Sequence, residues 1–271
     1  MYAERQINTH TIRKQRERER EKARKKEERM ASVECCTPAP PAHHICSGVV
    51  ETWGTNSVYV NAPPGASKAV LLVADVFGWE APLLRKLADK IATAGYLGVV
   101  PDYLHGDAYI NIEDATHQER INKWLPKHPA TPEPVEESKE IIGFLKEKGV
   151  RSIGVAGFCW GAQVAVYLAK GAHVQAAVLM HPSFVTTEDI KEVKVPIAIL
   201  AAEIDRTSPP ALIREFEKIL VSKSEVCTTF CEVYPRVAHG WTIRYKVNDE
   251  KAVAEAEEAH AALLEWFGKS L

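Results

Sequence analysis

From about residue 48 to the C-terminus, short apolar runs rich in β-branched residues alternate with longer stretches of helical period. The runs are Val58 to Val60, Ala69 to Ala74, Leu97 to Val100, Ser152 to Ala156, Ala176 to Met180, Pro196 to Ala202 and Val226 to Val233. Most are apolar at nearly every position, which is the pattern of strands buried on both faces. The helical stretches are Ala81 to Ala94, Ile112 to Trp124, Val135 to Lys148, Ala162 to Lys170, Pro210 to Leu220 and Asp249 to Phe267. Strand and helix in alternation predict an α/β fold, a mostly parallel central sheet with helices on both faces. Pro126, Pro129, Pro132 and Pro134 interrupt the chain between two helical stretches, but so short a break marks a loop. One domain over residues 48 to 271 accounts for the pattern, and no internal repeat is visible.

The pattern is different before residue 48. From Arg13 to Arg29 every residue except Gln15 and Ala23 is charged, with signs interleaved and no apolar stripe. A core cannot hold such a segment, so a solvated helix or a disordered tail is expected. Met30, followed by Ala31 and Ser32, would also serve as a start. Residues 31 to 47 gather prolines, cysteines and two adjacent histidines. A metal site built from Cys35, Cys36, His43, His44 and Cys46 is conceivable, but the spacing lacks the paired-ligand pattern of structural zinc motifs, so the segment reads as a linker and no metal is expected.

Composition narrows the class further. Of 271 residues, 46% are hydrophobic and 26% charged, enough apolar material for a sizeable core. Lysine and arginine total 34 against 36 acids. With the basic excess confined to the tail, nothing suggests that the folded domain binds nucleic acid or an anionic membrane. No apolar run approaches the roughly 18 residues that span a bilayer, and the N-terminus lacks the apolar core of a secretory signal. A cytoplasmic protein is expected. The six cysteines follow no disulfide framework, so reduced thiols are expected.

The chemistry is concentrated in residues 151 to 171, RSIGVAGFCWGAQVAVYLAKG. An apolar strand runs into Gly157-Phe158-Cys159-Trp160-Gly161, and a helix follows. Glycines two before and two after a central residue allow a sharp turn and close approach of strand and helix, so the central side chain stands at the carboxyl edge of the sheet. The pattern is that of a nucleophile elbow with cysteine in place of serine. A thiol there sits at a helix N-terminus, where free N–H groups favour the thiolate.

A thiol nucleophile needs a base, and in this architecture acid and histidine follow the nucleophile in chain order, each at the end of a later strand. The strand from Pro196 ends in Glu203-Ile204-Asp205, and the strand from Val226 leads to His239-Gly240-Trp241. Asp205 would orient the imidazole, with Glu203 as the alternative acid, while His239 would move the proton. Backbone N–H groups of Val76 and Trp160 would form the oxyanion hole. The bland alternatives are an inert buried thiol at Cys159, a helix-capping Asp205 and a core His239.

At these residues the chain resembles the dienelactone hydrolases (carboxymethylenebutenolidases) of the α/β-hydrolase fold, in a plant-type form. The matching segments are VADVFGW at 73 to 79, VVPDYLHGD at 99 to 107, GFCWGAQ at 157 to 163, AAEID at 201 to 205 and AHGW at 238 to 241. The resemblance implies Cys159 as nucleophile, His239 as base and Asp205 as its orienter. It implies an acid beside the resting thiol at Asp75, where bacterial members carry glutamate. Of two arginines that grip the substrate carboxylate in those members, one position falls near His105 and Gly106. The other corresponds to Arg244, five residues after His239 where four is usual. His105, His181, Trp79 and Trp241 are candidates to line the pocket.

The expectation is therefore a cysteine-dependent hydrolase of a small lactone or ester, working through an acyl-enzyme without a cofactor. Two other functions stay open: a non-catalytic ligand-binding or interaction protein, and a β-glucan hydrolase, as some plant relatives are labelled. The latter chemistry needs two carboxylates roughly 5 to 10 Å apart, for which Asp75 with Glu203 or Asp205 would serve. Oligomeric state is open.

Overall fold

The structure is a computed structural model, described over residues 46–110, 117–223 and 228–271. Eight strands form one sheet in the order β1-β2-β4-β3-β5-β6-β7-β8. The strands are β1 (Val49–Trp53), β2 (Asn56–Asn61), β3 (Lys68–Val73), β4 (Leu97–Pro101), β5 (Ser152–Phe158), β6 (Ala176–Met180), β7 (Ile197–Ile204) and β8 (Thr229–Ala238). β1 and β2 form an antiparallel hairpin, and β2 runs antiparallel to β4. All other pairings are parallel. The helices are α1 (Pro82–Thr93), α2 (His117–Trp124), α3 (Glu133–Glu147), α4 (Gly161–Lys170), α5 (Thr187–Glu192), α6 (Pro210–Val221) and α7 (Glu250–Ser270).

The continuous apolar strands are explained by two cores. Because successive side chains alternate across a strand, Leu71, Val73, Val155, Leu179 and Ile199 pack on one face with Ile141 of α3, Val164 and Leu168 of α4 and Phe216 of α6. Their neighbours Val70, Leu72, Ala156, Val178 and Leu200 pack on the other with Leu84, Leu87 and Ile91 of α1 and Leu263 and Phe267 of α7. The α/β reading is borne out.

Strand order also locates the site. From β3 the chain goes to β4 on one side and then returns to β5 on the other. Such a reversal opens a crevice beyond the carboxyl ends of β3 and β5, the usual place for a ligand in an open α/β sheet. Asp75 and Cys159 follow directly from those two ends.

Some elements were not expected from the pattern. β1 is the outer strand of a hairpin turned at Gly54 (φ +63°), with Val49 and Val50 exposed, so it carries little apolar signal. α5 spans six residues and is fixed by a capping box between Thr186 and Asp189. β8 continues through Pro235 to Ala238, which an edge strand bonded only to β7 tolerates. The expected start of that strand at Val226, and of a helix at Ile112, lie outside the described residues, as do Cys35, Cys36, His43 and His44. Among the described residues no helix is long and apolar enough to cross a membrane. Cys46, Cys159 and Cys231 are free thiols.

Candidate active site

The elbow is built by two close approaches. Cys159 adopts φ +52°, a left-handed conformation that ordinary side chains avoid unless the fold imposes it. A Cβ on Gly157 would strike the backbone of Gly161, and one on Gly161 would strike the carbonyls of Val73 and Ala74. The two glycines thus let α4 press against β5 and the end of β3. The Cys159 amide is held by the Met180 carbonyl at 3.1 Å. Cys159 itself is buried.

Asp205 and His239 meet as the order of strands requires. His239 Nδ1 lies 2.6 Å from Asp205 Oδ2, with both side chains excluded from solvent. The other carboxylate oxygen accepts the Thr207 N–H at 2.8 Å, the Thr207 hydroxyl at 2.7 Å and the Ser208 N–H at 3.1 Å. Burial works against this carboxylate's charge, but the His239 hydrogen bond and its other donors outweigh burial and lower its pKa. Glu203, the alternative acid, instead accepts the Arg236 N–H at 2.6 Å.

For His239, burial disfavours the charged ring. The field of the Cys159 sulfur, followed by Asp205, overcomes that and raises the pKa well above 6.5. Sulfur and imidazole are therefore electrostatic neighbours. Yet Nε2 has no partner at hydrogen-bond geometry among the described residues. The two groups are close, with no bond between them at hydrogen-bond geometry.

Asp75 is buried, and its Oδ1 accepts the Phe77 N–H at 2.9 Å. Its Oδ2 faces Arg244 Nε at 3.3 Å in a pair hidden from solvent. Burial raises the Asp75 pKa against the opposing pull of Arg244. Among the described residues no hydrogen bond joins Asp75 to Cys159; its contact with the Phe77 amide holds the loop after β3 instead. Arg244 also stands 5.4 Å from the Phe77 ring centroid. Among the described residues, neither the Val76 nor the Trp160 amide donates to a backbone carbonyl in another loop or turn.

Three residues that sequence reasoning gave little or no weight join the site. His181 is fully buried, with its ring 5.0 Å from that of His239 and 5.4 Å from Trp241, and its Nε2 2.8 Å from Thr242 Oγ1. Burial, then His239 and Arg244, lower its pKa well below 6.5, so it is a neutral ring behind His239. Ser183 Oγ lies 3.4 Å from Cys159 Sγ, and Thr207 Oγ1 lies 3.3 Å from His239 Nδ1. No spacing in the chain announces these contacts, because they arise where the loops after β6 and β7 converge.

The other pocket candidates sit further out. His105 is half exposed and pairs with Glu137 at 3.0 Å, and Trp79 packs under the Arg85 guanidinium at 4.5 Å. A cavity of about 540 Å³ borders the loop after β8, lined by His239, Trp241, Arg244, Arg236 and Lys246 among others. Cys159 is not among its lining residues. No cluster among the described residues has three metal-ligating side chains.

Comparison with known proteins agrees with this architecture. A carboxymethylenebutenolidase homologue from Xenopus tropicalis is 31% identical over 216 residues, 78% of this chain and 86% of that protein. An endo-1,3;1,4-beta-D-glucanase from Zea mays is 42% identical over 168 residues, which cover 62% of this chain but only 53% of the maize protein. The crystal structure of a dienelactone hydrolase from Anabaena variabilis superposes with a TM-score of 0.57 at 17% identity, over 83% of this chain and 97% of that one. At that identity the likeness shows the fold. The sequence profile of the dienelactone hydrolase family matches residues 57–271, and the chain therefore belongs to this family of carboxylic ester hydrolases.

Proposed function

We propose that the protein hydrolyses a small lactone or ester with Cys159 as nucleophile, His239 as proton carrier and Asp205 as orienter of the imidazole. The observation that carries this reading is the buried 2.6 Å Asp205–His239 contact beside a cysteine held at φ +52° on a strand-to-helix turn. His239 Nε2 takes the thiol proton as Sγ attacks the carbonyl carbon. The carbonyl oxygen becomes an oxyanion between the Val76 and Trp160 amides. Collapse expels the alkoxide, which receives the proton from His239 and leaves a thioester on Cys159. Water then gives a proton to His239 and adds to the thioester, and the tetrahedral adduct releases the carboxylic acid as the proton returns to sulfur. Asp205 stabilises the imidazolium throughout.

The name of the maize relative raises a second possibility, hydrolysis of a β-glucan. Asp205 is committed to His239 and Asp75 to Arg244 and the Phe77 amide, so a glucanase would have to use carboxylates already engaged. Wild type and Cys159→Ala, assayed on lactones, activated esters and β-glucans, separate the readings. Ester hydrolysis lost with the thiol supports the first. Reducing sugar released equally by both proteins supports the second and overturns the first.

A further inference from the structure

A hydrogen-bonded route joins the Cys159 sulfur to Asp205 without passing through His239. Cys159 Sγ lies 3.4 Å from Ser183 Oγ. The Ser183 hydroxyl donates to Thr207 Oγ1 at 3.1 Å, and the Thr207 hydroxyl donates to Asp205 Oδ1 at 2.7 Å. Ser183 is buried, and its N–H donates to the Cys159 carbonyl at 3.0 Å. The serine is thus fastened to the elbow itself.

The direction of this route follows from its end. An ionised carboxylate only accepts, so Thr207 gives its single hydroxyl hydrogen to Asp205. Thr207 Oγ1 then has only lone pairs left, and one takes the Ser183 hydrogen. With that hydrogen committed, Ser183 offers the sulfur a lone pair. A thiol can donate into it, whereas a thiolate cannot.

We propose that Ser183 is the hydrogen-bond partner of the neutral Cys159 thiol: it accepts the S–H hydrogen bond and favours that form over the thiolate that pairs with a charged His239. Thr207 is a positioning residue, acting by fixing the Ser183 hydroxyl. The inference rests on the reading of Cys159 as nucleophile. In the activating step the S–H bond breaks, its electron pair stays on sulfur, and the proton moves to His239 Nε2. No oxidant or reductant is involved. The titratable groups that face the Cys159–His239 pair are Asp205 after β7, Asp75 after β3, His181 after β6 and Arg244 beyond β8. Ser183, which does not titrate, has its hydroxyl within hydrogen-bond distance of the sulfur.

The test is the pH profile of Cys159 alkylation by iodoacetamide, followed by mass spectrometry of the Cys159 peptide, because the rate tracks the thiolate fraction. In Ser183→Ala the thiol loses its acceptor. The midpoint should fall by about 0.5 to 1 pH unit, with alkylation below the midpoint about three- to tenfold faster. A midpoint that is unchanged or raised overturns the proposal. A purely structural role would move the unfolding temperature and leave the midpoint in place. If Ser183→Ala does not fold, Thr207→Val carries the same expectation and the same refutation, since it releases the Ser183 hydrogen to donate to a thiolate. Ester hydrolysis by Cys159→Ala separately tests the nucleophile: retained hydrolysis would remove that role while the alkylation shift stood or fell on its own.

Discussion

Arg244 lies against the backbone of Gly240, in the space where a Cβ at that position would stand. Gly240 adopts φ +88°, and its carbonyl accepts the Arg244 N–H at 3.0 Å. The glycine immediately after His239 therefore does two things: it turns the chain, and it lets the guanidinium reach Asp75. Gly240→Ala adds left-handed strain and pushes Arg244 aside. It should destabilise the protein by about 1–3 kcal/mol and lower the midpoint of thermal unfolding. An unchanged unfolding midpoint would contradict the packing described.

Asp205→Asn keeps the shape of the side chain but removes the charge that stabilises the imidazolium and selects the Nδ1–H tautomer. In triads of this logic that change costs about 10³–10⁴-fold in turnover. We expect kcat for an activated ester to fall on that scale, with little change in KM. Glu203→Gln should leave kcat within about threefold of wild type, because among the described residues Glu203 holds the Arg236 amide and not His239. Equal losses in both variants would reassign the acid.

His260 provides a pH prediction for stability. Its Nε2 lies 2.8 Å from the Thr242 carbonyl and its Nδ1 3.2 Å from Lys90 Nζ, so the buried ring is neutral, donating on one side and accepting on the other. Burial, then Lys90, pushes its pKa down to about 4. A folded pKa below the unfolded 6.5 means that the unfolded chain binds the extra proton between these values. The stability contribution is complete above about pH 7 and is lost as pH falls. From pH 7.5 to 5 this group costs about 2 kcal/mol. Urea unfolding should show wild type losing that much more than His260→Gln over the interval. Parallel losses would contradict it.

The free thiols should differ sharply in reactivity. Cys231 is largely covered, and burial, followed by Glu217, pushes its pKa up to about 12. Peptide mapping after brief iodoacetamide treatment at pH 8 should find Cys159 alkylated and Cys231 untouched. Comparable labelling of the two would contradict the burial that suppresses the Cys231 thiolate.

These tests rest on features of unequal visibility in the chain. The elbow was legible because glycines at 157 and 161 are a local requirement of one tight crossing. Asp205 and His239 were legible because each follows an apolar strand whose end must lie at the same edge. Asp75 follows the apolar run 69–74, which sets it just past the end of β3, whereas its Arg244 contact depends on the turn at Gly240 and leaves no trace in the local sequence. Ser183, Thr207 and His181 reach the site through loops whose course is set by tertiary packing, and isolated hydroxyls or a single imidazole leave no periodic trace. α5 was missed although Thr186 and Asp189 stand at capping-box spacing, because six residues give too little periodicity to outweigh the surrounding loop.

Hydrolysis through Cys159 requires a covalent bond between substrate and sulfur. Intact-mass spectrometry of the protein, acid-quenched during turnover of an activated ester, tests it most directly. Wild type should gain a mass equal to the acyl group, mapping to the Cys159 peptide and absent from Cys159→Ala, whose turnover should fall at least about 10³-fold. A wild-type enzyme that turns over with no adduct, together with a Cys159→Ala variant of undiminished rate, would contradict it.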